Sequence, residues 1–394
     1  MSILSKHIRI SISIFILATL VFSCGQKRKK DTSKTATSAV TESRPTGKWA
    51  VERANEWYNG LDWLVGCNFV PSNAINQLEM WQKDTFSPEL IDKELGWAED
   101  LGFNTLRVFL HYIPWKEDKE GFYERVDKFL EICAKHNMRV MLIFFDDVWH
   151  PNPESGLQPK PEQGVHNSGW VQCPGIDILK NLALHEADLK SYVQETMERY
   201  VEDTRVLIWD LYNEPANPNE ASYGEIELEN KMDYSLILLQ KAFEWAREVN
   251  PSQPICSDVW RVGHLDLSQL DAIDRFCYEN SDIINFHSYY GPEITEKMVE
   301  LLSASGRPLI CTEYMARTAG STFETILPIL QNHKVGAYNW GLVNGKSNTI
   351  YPWSSWDNPF TDEPEVWFHD IFRKDGTPFS DKEAAFIKTT INQN

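Results

Sequence analysis

The feature that most constrains the fold is an alternation of short apolar runs with amphipathic segments, which continues from Gly47 towards the end of the chain. Eight runs have the length and the bounding turn residues of buried strands, and each is followed by an amphipathic helical pattern or a loop. Eight such units predict an α/β fold, a single (β/α)₈ TIM barrel over residues 48–394. The predicted strands cover residues 63–69, 105–112, 139–145, 206–214, 254–260, 283–289, 308–312 and 335–340.

The segment before the barrel has a different character. Basic residues precede a short apolar run, so residues 1–23 are expected to be a lipoprotein-type signal peptide. The sequence around Cys24 is similar to a bacterial lipoprotein signal, in which this cysteine is lipidated; plain cleavage and an uncleaved anchor are the alternatives. Residues 24–47 are rich in Lys, Thr and Ser and are expected to be a disordered tether. We therefore expect an exported protein, lipid-anchored at the bacterial cell envelope in the periplasm or at the cell surface.

Composition excludes several classes of function. The formal charge of −19 argues against nucleic acid, which needs a basic face on its partner. The cysteines other than Cys24 are scattered without metal-ligand spacing, and sequence alone assigns no disulfide pair. Motifs of dinucleotide, P-loop, serine-hydrolase and zinc-protease sites do not occur in the sequence. We expect a monomer with no metal and no cofactor, which contacts a membrane only through its lipid.

Two predicted strands each end in a glutamate. The fourth runs into Asn213-Glu214-Pro215, and it should stop there because Pro215 has no N–H for a strand ladder. The seventh runs into Thr312-Glu313-Tyr314. Strands four and seven of a barrel lie across from each other, and their carboxyl ends open at the same face. Both glutamates are therefore expected to point into one central cleft.

A facing pair of carboxyl groups suits glycosidic cleavage. One group donates a proton to the leaving oxygen, and the other attacks or stabilises the sugar cation. Burial and a neighbouring like charge each raise a carboxyl pKa, which would keep one group protonated. A helix cap or an ion pair with arginine would explain one glutamate but not two on these strands. The 15 tryptophans fit either a large core or a cleft that stacks on sugar faces.

These motifs, in barrel order over roughly residues 60–345, resemble clan A retaining glycoside hydrolases, and most of all family 5, which includes cellulases, endo-1,4-β-xylanases and mannanases. The resemblance implies a double displacement with Glu214 as acid/base and Glu313 as nucleophile. It implies that Asn213 binds the 2-hydroxyl of the reacting sugar. It also implies that Arg107, in strand two, holds Glu313 ionised, because a neighbouring cation lowers a carboxyl pKa.

The same resemblance extends to residues around the cleft. His287 and Tyr289 match the His-x-Tyr of strand six and are expected to orient the nucleophile. Trp340 fits the aromatic floor under the reacting sugar, and Trp260 either stacks a neighbouring sugar or packs the rim. The predicted substrate-binding set is completed by Asn68, Asp147 and Trp149.

Other stretches depart from the family pattern and indicate a divergent branch. The end of strand three is rich in Asp and Trp, so Asp146, Asp147 and His150 are cleft candidates without assigned roles. The loop at 151–184 and the Trp-rich stretch after strand eight either extend the cleft, for endo cleavage of a xylan-, glucan- or mannan-like chain, or block one end, for exo cleavage. A lipid-anchored glycan-binding protein and a transglycosylase are rival functions on the same barrel; two intact glutamates argue against the first.

Overall fold

The computed structural model describes residues 46–392. The predicted signal peptide at 1–23, the lipidation site Cys24 and nearly all of the tether at 24–47 lie outside the described residues, and they stay predictions. Within 46–392, no helix combines the length and the apolar character needed to cross a membrane.

Eight parallel strands form the barrel predicted from the sequence. In chain order they are β1 Val65–Asn68, β2 Thr105–Phe109, β3 Arg139–Asp146, β4 Val206–Asn213, β5 Ile255–Cys256, β6 Ile284–Ser288, β7 Leu309–Tyr314 and β8 Gly336–Trp340. Hydrogen-bonded neighbours follow the order β5-β4-β3-β2-β1-β8-β7-β6. Between β5 and β6 a single parallel bridge from Val259 to Phe286 replaces the ladder. The (β/α)₈ fold is thus confirmed, with one nearly closed seam where the predicted fifth strand is shorter than expected.

The helices surround this barrel. They are α1 Val51–Asn59, α2 Gln77–Trp81, α3 Pro88–Leu101, α4 Tyr112–Glu117, α5 Lys119–Lys135, α6 Ile176–Lys180, α7 Leu182–Arg199, α8 Lys231–Val249, α9 Ala272–Asn280, α10 Pro292–Ser303, α11 Phe323–Asn332 and α12 Asp381–Ile391. Amphipathic patterns in the sequence, at 49–58, 87–102, 123–136, 189–200, 230–249, 293–302, 323–330 and 382–390, predict eight of them and miss α2, α4, α6 and α9. The first three of these are too short to show a helical period. The fourth, α9, begins directly after Asp271, whose side chain caps it by accepting the N–H groups of Ile273 and Asp274.

The barrel interior changes from apolar to charged along the strands. At the amino-terminal end the interior is filled by a buried apolar cluster that includes Met141, Ile208 and Ile310. One step further towards the carboxyl ends, the inward side chains include Arg107 and Asp210, both fully buried. The strands therefore place a closed core below and a polar layer at the mouth, where (β/α)₈ enzymes build their sites.

The six cysteines in the described part of the chain are buried and free. Burial raises the pKa of their thiols, for example that of Cys256. Within residues 46–392, packing therefore holds the barrel without a disulfide.

Candidate active site

Arg107 of β2 ties the strands together beneath the barrel mouth. Nε and Nη2 donate to Asp210 at 3.0 and 2.8 Å, and Nη2 also donates to Asn213 at 2.8 Å. Nη1 donates to Asn68 at 3.0 Å and to Glu313 at 2.9 Å. These five bonds use every N–H of the guanidinium. Arg107 is fully buried, so its influence on a ligand passes through the side chains that it holds.

Replacing Arg107 by methionine should lower the free energy of unfolding by about 3–5 kcal/mol, because the change leaves buried carboxyl and amide oxygens without their donor. Urea denaturation followed by circular dichroism measures this loss. Arg373→Met is the matched control, since its pair with Glu363 lies at the surface and should contribute less than about 1 kcal/mol. Equal losses in the two variants would contradict a central role for Arg107.

Glu313, in β7, is held from two sides. Its Oε1 accepts from Arg107, and its Oε2 accepts from the Tyr289 hydroxyl at 2.7 Å. Burial raises the pKa of Glu313 and the charge of Glu214 raises it further, whereas His287 and Arg107 lower it. Arg107 lowers the pKa of Glu313 as expected, but it is only one of several contributions, and the net shift of this pKa is upward.

Glu214 follows β4 directly. Its Oε2 accepts from Asn217 at 2.6 Å, and its backbone N–H donates to the Asp258 carboxylate at 3.2 Å. The backbone has a φ of 40°, which is rare for a residue with a side chain and indicates a constrained position. Burial raises the pKa of Glu214. Its side chain is 14% exposed against 6% for Glu313, so Glu214 is the more open of the two.

His287, in β6, is expected from the sequence to orient Glu313, but its hydrogen bond is to Glu214. Its Nδ1 lies 2.7 Å from Oε1 of Glu214, whereas its Nε2 lies 3.6 Å from Oε1 of Glu313. Tyr289 bonds Glu313, so each glutamate has one of the two predicted partners. Burial lowers the pKa of His287 to about 4, and the ring is neutral at neutral pH.

The two carboxylates and the imidazole form one cluster. One oxygen of Glu214, one oxygen of Glu313 and a ring nitrogen of His287 lie within 4.8 Å of one another. In the described part of the chain, these are the side chains best placed to share a cation. The expected absence of a metal stays a prediction.

A cavity of about 900 Å³ opens above this cluster. Loops after β3 to β8 line it. Most of the predicted site residues line it too, namely Asn213, Glu214, Trp149, Trp260, His287, Tyr289, Glu313 and Trp340. Geometry thus brings two carboxylates, polar side chains and exposed indole faces into one pocket.

Comparison with known proteins identifies the family of this chain. A family model described as cellulase (glycosyl hydrolase family 5) matches residues 71–356, most of the barrel. The chain belongs to glycosyl hydrolase family 5. No curated protein matches it significantly.

Solved structures share the barrel of this family 5 chain at low sequence identity. A GH5_18 protein from Streptomyces cattleya, in complex with GlcNAc, has a TM-score of 0.56 at 13% identity, with 84% of this chain and 80% of that chain covered. An endo-β-1,4-mannanase from Thermotoga petrophila has a TM-score of 0.54 at 13% identity, with 85% and 77% covered. A GH5-4 broad-specificity endoglucanase from Clostridium longisporum has 0.56 at 11%, with 89% and 99% covered. At these identities the likeness shows the fold alone.

Aromatic rings form the floor and walls of the family 5 pocket. Trp340 is partly exposed and packs edge-on against Phe109 and Trp170, with ring centroids 5.9 and 5.7 Å apart. Trp149 stacks nearly parallel on Trp356 at 5.6 Å. Trp260 donates from Nε1 to the Pro215 carbonyl at 3.3 Å, which fixes it at the rim. Trp340 therefore lines the cavity while two buried rings support it from behind.

Three residues of the predicted substrate-binding set lie behind the pocket instead of lining it. Arg107 is one of them. Asn68 accepts from Arg107 and donates to the Thr312 carbonyl at 2.7 Å. Asp147 accepts from the Ala216 N–H at 2.6 Å, and it also holds the hydroxyls of Tyr212 and Ser235. Their buried contacts make them supports of β7 and of the loop after β4.

The unassigned candidates at the end of β3 also have structural partners. Asp146 accepts from Asn213 at 3.0 Å and from the Trp170 indole at 2.7 Å, so it links the β4 end to the pocket floor. The His150 ring packs edge-on against Tyr223 at 4.7 Å. Neither residue lines the cavity, although Trp149 between them along the chain does.

Sequence reasoning missed several residues that shape the site. Asp210 is the main partner of Arg107, and a buried aspartate inside an apolar strand was an available signal, because such a charge needs a partner. Asn217 and Asp258 hold the side chain and the backbone of Glu214. Asn217 lies in a loop without a periodic pattern, and nothing in the sequence alone indicates its contact.

Proposed function

We propose that this protein is a retaining β-glycosidase in which Glu313 is the nucleophile and Glu214 is the general acid and then the general base. The observation that carries this proposal is that one oxygen of Glu214 and one oxygen of Glu313 lie within 4.8 Å of each other. Retaining glycosidases place their carboxyl groups about 5–5.5 Å apart, whereas inverting enzymes need about 6.5–9.5 Å to admit a water molecule. The short approach favours retention.

The surroundings of the two glutamates support the division of roles. Glu313 accepts from a guanidinium and a phenol, and both donors stabilise its ionised form. Among the described residues, the direct side-chain partners of Glu214 carry no charge: the Asn217 amide donates to Oε2, and Nδ1 of the neutral His287 ring lies 2.7 Å from Oε1. Burial raises its pKa, which favours the protonated form that a general acid needs.

The reaction follows from these roles in two displacements. Glu313 attacks the anomeric carbon, the bond to the leaving oxygen breaks, and Glu214 gives that oxygen its proton. A water molecule then transfers a proton to Glu214 and attacks the same carbon, which releases Glu313 as a carboxylate. Each displacement inverts the anomeric carbon, so the product keeps the configuration of the substrate.

Asn213 and Trp340 have the chemistry to hold the reacting sugar. The Asn213 amide donates one N–H to Asp146 and accepts from Arg107, which leaves a second N–H and a lone pair for a 2-hydroxyl. The exposed face of Trp340 can stack on the apolar face of a pyranose. The similar folds of a β-1,4-mannanase and an endoglucanase direct the first substrate panel to β-linked mannose and glucose, and the sequence-based expectation of a xylan-like substrate adds β-linked xylose.

The test is the configuration of the first product. The full-length protein is mixed with aryl β-mannosides, β-glucosides and β-xylosides, and the anomeric protons are followed by NMR before mutarotation. We expect the β-anomer first on the preferred sugar. An initial α-anomer would show inversion and overturn the mechanism. Binding of these sugars without turnover would favour a glycan-binding protein, and predominant transfer to added sugars would favour a transglycosylase.

A further inference from the structure

We infer that the pocket is closed on the side of β1 and β2, so that the enzyme removes single sugars from the non-reducing end of a β-glycan, and that Asn167 recognises the terminal sugar. This inference rests on the proposed function and specifies its substrate. Two observations carry it: a wall of three joined loops, and a buried amide in that wall without hydrogen-bond partners.

The wall is made by segments distant in sequence. We call residues 147–175 the β3 loop and residues 341–380 the β8 segment. Backbone and side-chain hydrogen bonds of 2.8–3.1 Å join the two, from Asn167 N to Ser347 O, His166 N to Ser355 Oγ, Asn348 Nδ2 to Glu162 O, and Phe360 N to Gly164 O. The two segments thus form one continuous surface across the barrel mouth.

The loop after β1 seals this surface from below. Asn76 donates to the Gly169 carbonyl at 2.8 Å, and the Lys346 N–H donates to the Ser72 carbonyl at 3.0 Å. At Gly345, a Cβ would lie only 2.5 Å from Cα of Ser72, so the backbones approach too closely for any side chain. Among the described residues, none from the connections between β1 and β2 or between β2 and β3 lines the large cavity.

Beyond the Trp340 floor, the described part of the chain leaves no room for another sugar. The space behind Trp340, lined in part by Phe69, Phe109 and Trp170, has a volume of only about 10 Å³. That is about the volume needed for one water molecule. A sugar that stacks on Trp340 therefore meets the wall instead of a further binding site.

The positions of the glutamates give the direction of the chain. Glu214 protonates the leaving oxygen, and it is surrounded by the loops after β4 and β5, which carry Asn217 and Trp260. The leaving part of the glycan therefore extends over those loops. The opposite end of the reacting ring, with its 4-hydroxyl, faces the wall. Only one sugar fits between Glu313 and the wall, which corresponds to exo cleavage.

Asn167 is placed to read that ring. Asn167 is among the residues that line the cavity and is 1% exposed, and neither Oδ1 nor Nδ2 of its buried side chain has a partner among the described residues. It lies in the chain between His166, which packs on Trp149, and Trp170, which packs on Trp340. A buried amide without partners is unfavourable, and neighbouring sugar hydroxyls offer the donor and the acceptor that it lacks.

Product analysis tests the closed wall. The full-length enzyme acts on β-1,4-linked mannohexaose, cellohexaose and xylohexaose labelled at the reducing end, with aryl β-monoglycosides alongside. We expect the labelled chain to shorten by one sugar at a time, with release of free monosaccharide. Short labelled fragments among the first products would overturn the inference while leaving the proposed function intact. Failure to hydrolyse any substrate, aryl glycosides included, would overturn both.

Asn167→Gly tests the recognition residue. Asn167 has a φ of 51°, which glycine adopts without strain, so the variant keeps the turn and removes only the amide. We expect kcat/KM on an aryl β-glycoside to fall about tenfold. The loss should disappear with the 3-deoxy or 4-deoxy analogue whose missing hydroxyl Asn167 contacts. Asn152→Ala, exposed on the same loop, is the control and should keep wild-type kcat/KM.

An unchanged kcat/KM in folded Asn167→Gly would show that this asparagine serves only the turn, and would overturn its assignment. The wild-type enzyme gives a reading that does not depend on the folding of any variant. It should itself lose about tenfold in kcat/KM on one of the two deoxy analogues. Equal rates on all three glycosides would also overturn the assignment.

Discussion

Glu313→Ala should lower kcat on an aryl β-glycoside by about 10⁴-fold or more, because the covalent step loses its nucleophile. Initial rates under saturating substrate measure this loss. Glu324→Ala is the matched control, since Glu324 is exposed on α11 and should leave kcat unchanged. Circular dichroism should show the same secondary structure in both variants, because only one partner of the Arg107 network is removed.

Azide can identify the role of Glu313 as well as its importance. In Glu313→Ala, azide should enter the space left by the carboxylate and attack the anomeric carbon from that face. A single displacement then gives the α-glycosyl azide from a β-glycoside with an activated leaving group. Recovery of the α-azide by NMR would support the nucleophile assignment. A β-azide, or substantial activity without azide, would contradict it.

The meeting of the two glutamates could be predicted because barrel topology dictates it. Glu214 and Glu313 each follow a buried run, and parallel strands bring their carboxyl ends to one face. Strand length and loop content were not needed for that conclusion. The family resemblance predicted Trp340 at the mouth, and Trp340 lines the cavity. Features set by the direction of the strands are thus within reach of a single sequence.

The direction in which a side chain points at the end of a strand was harder to predict from the sequence. Asp147 and Trp149 follow the same strand, yet Trp149 faces the cavity and Asp147 turns back to bond the Ala216 N–H. The register between β6 and β7 shifts at Phe286 and His287, close to where the predicted partner of His287 differs from the observed one. A one-residue irregularity in strand pairing changes which carboxylate a side chain contacts, and amino-acid composition does not predict such an irregularity.

The closed wall could not be predicted from the sequence, for a different reason. The sequence showed two unusual segments, at 151–184 and after strand eight, and left open whether they extend or block the cleft. The choice depends on contacts between parts nearly two hundred residues apart, such as the bond from Phe360 to Gly164. No local period encodes such a pairing. The structure favours the blocked alternative through these bonds.

Glu214→Gln should separate the two chemical steps. With a poor leaving group, kcat/KM should fall about 10²–10⁴-fold, because no proton reaches the departing oxygen. A 2,4-dinitrophenyl β-glycoside needs no such proton, so its first step should survive. The second step lacks a base and should be slow, and stopped-flow absorbance should show a burst of dinitrophenol. Glu225→Gln, exposed in the loop after β4, is the control and should show wild-type kinetics.

The pH profile of the same variant tests the proton that Glu214 holds. In the wild type, we expect kcat/KM to fall at high pH as Glu214 loses its proton and at low pH as Glu313 gains one. Burial raises both pKa values, so both limbs should lie above the ordinary glutamate value of about 4.3. His287, with its pKa lowered to about 4, stays neutral across the basic limb. Glu214→Gln should abolish the basic limb and keep the acidic one. A basic limb that persists in this variant would assign the essential proton to another group.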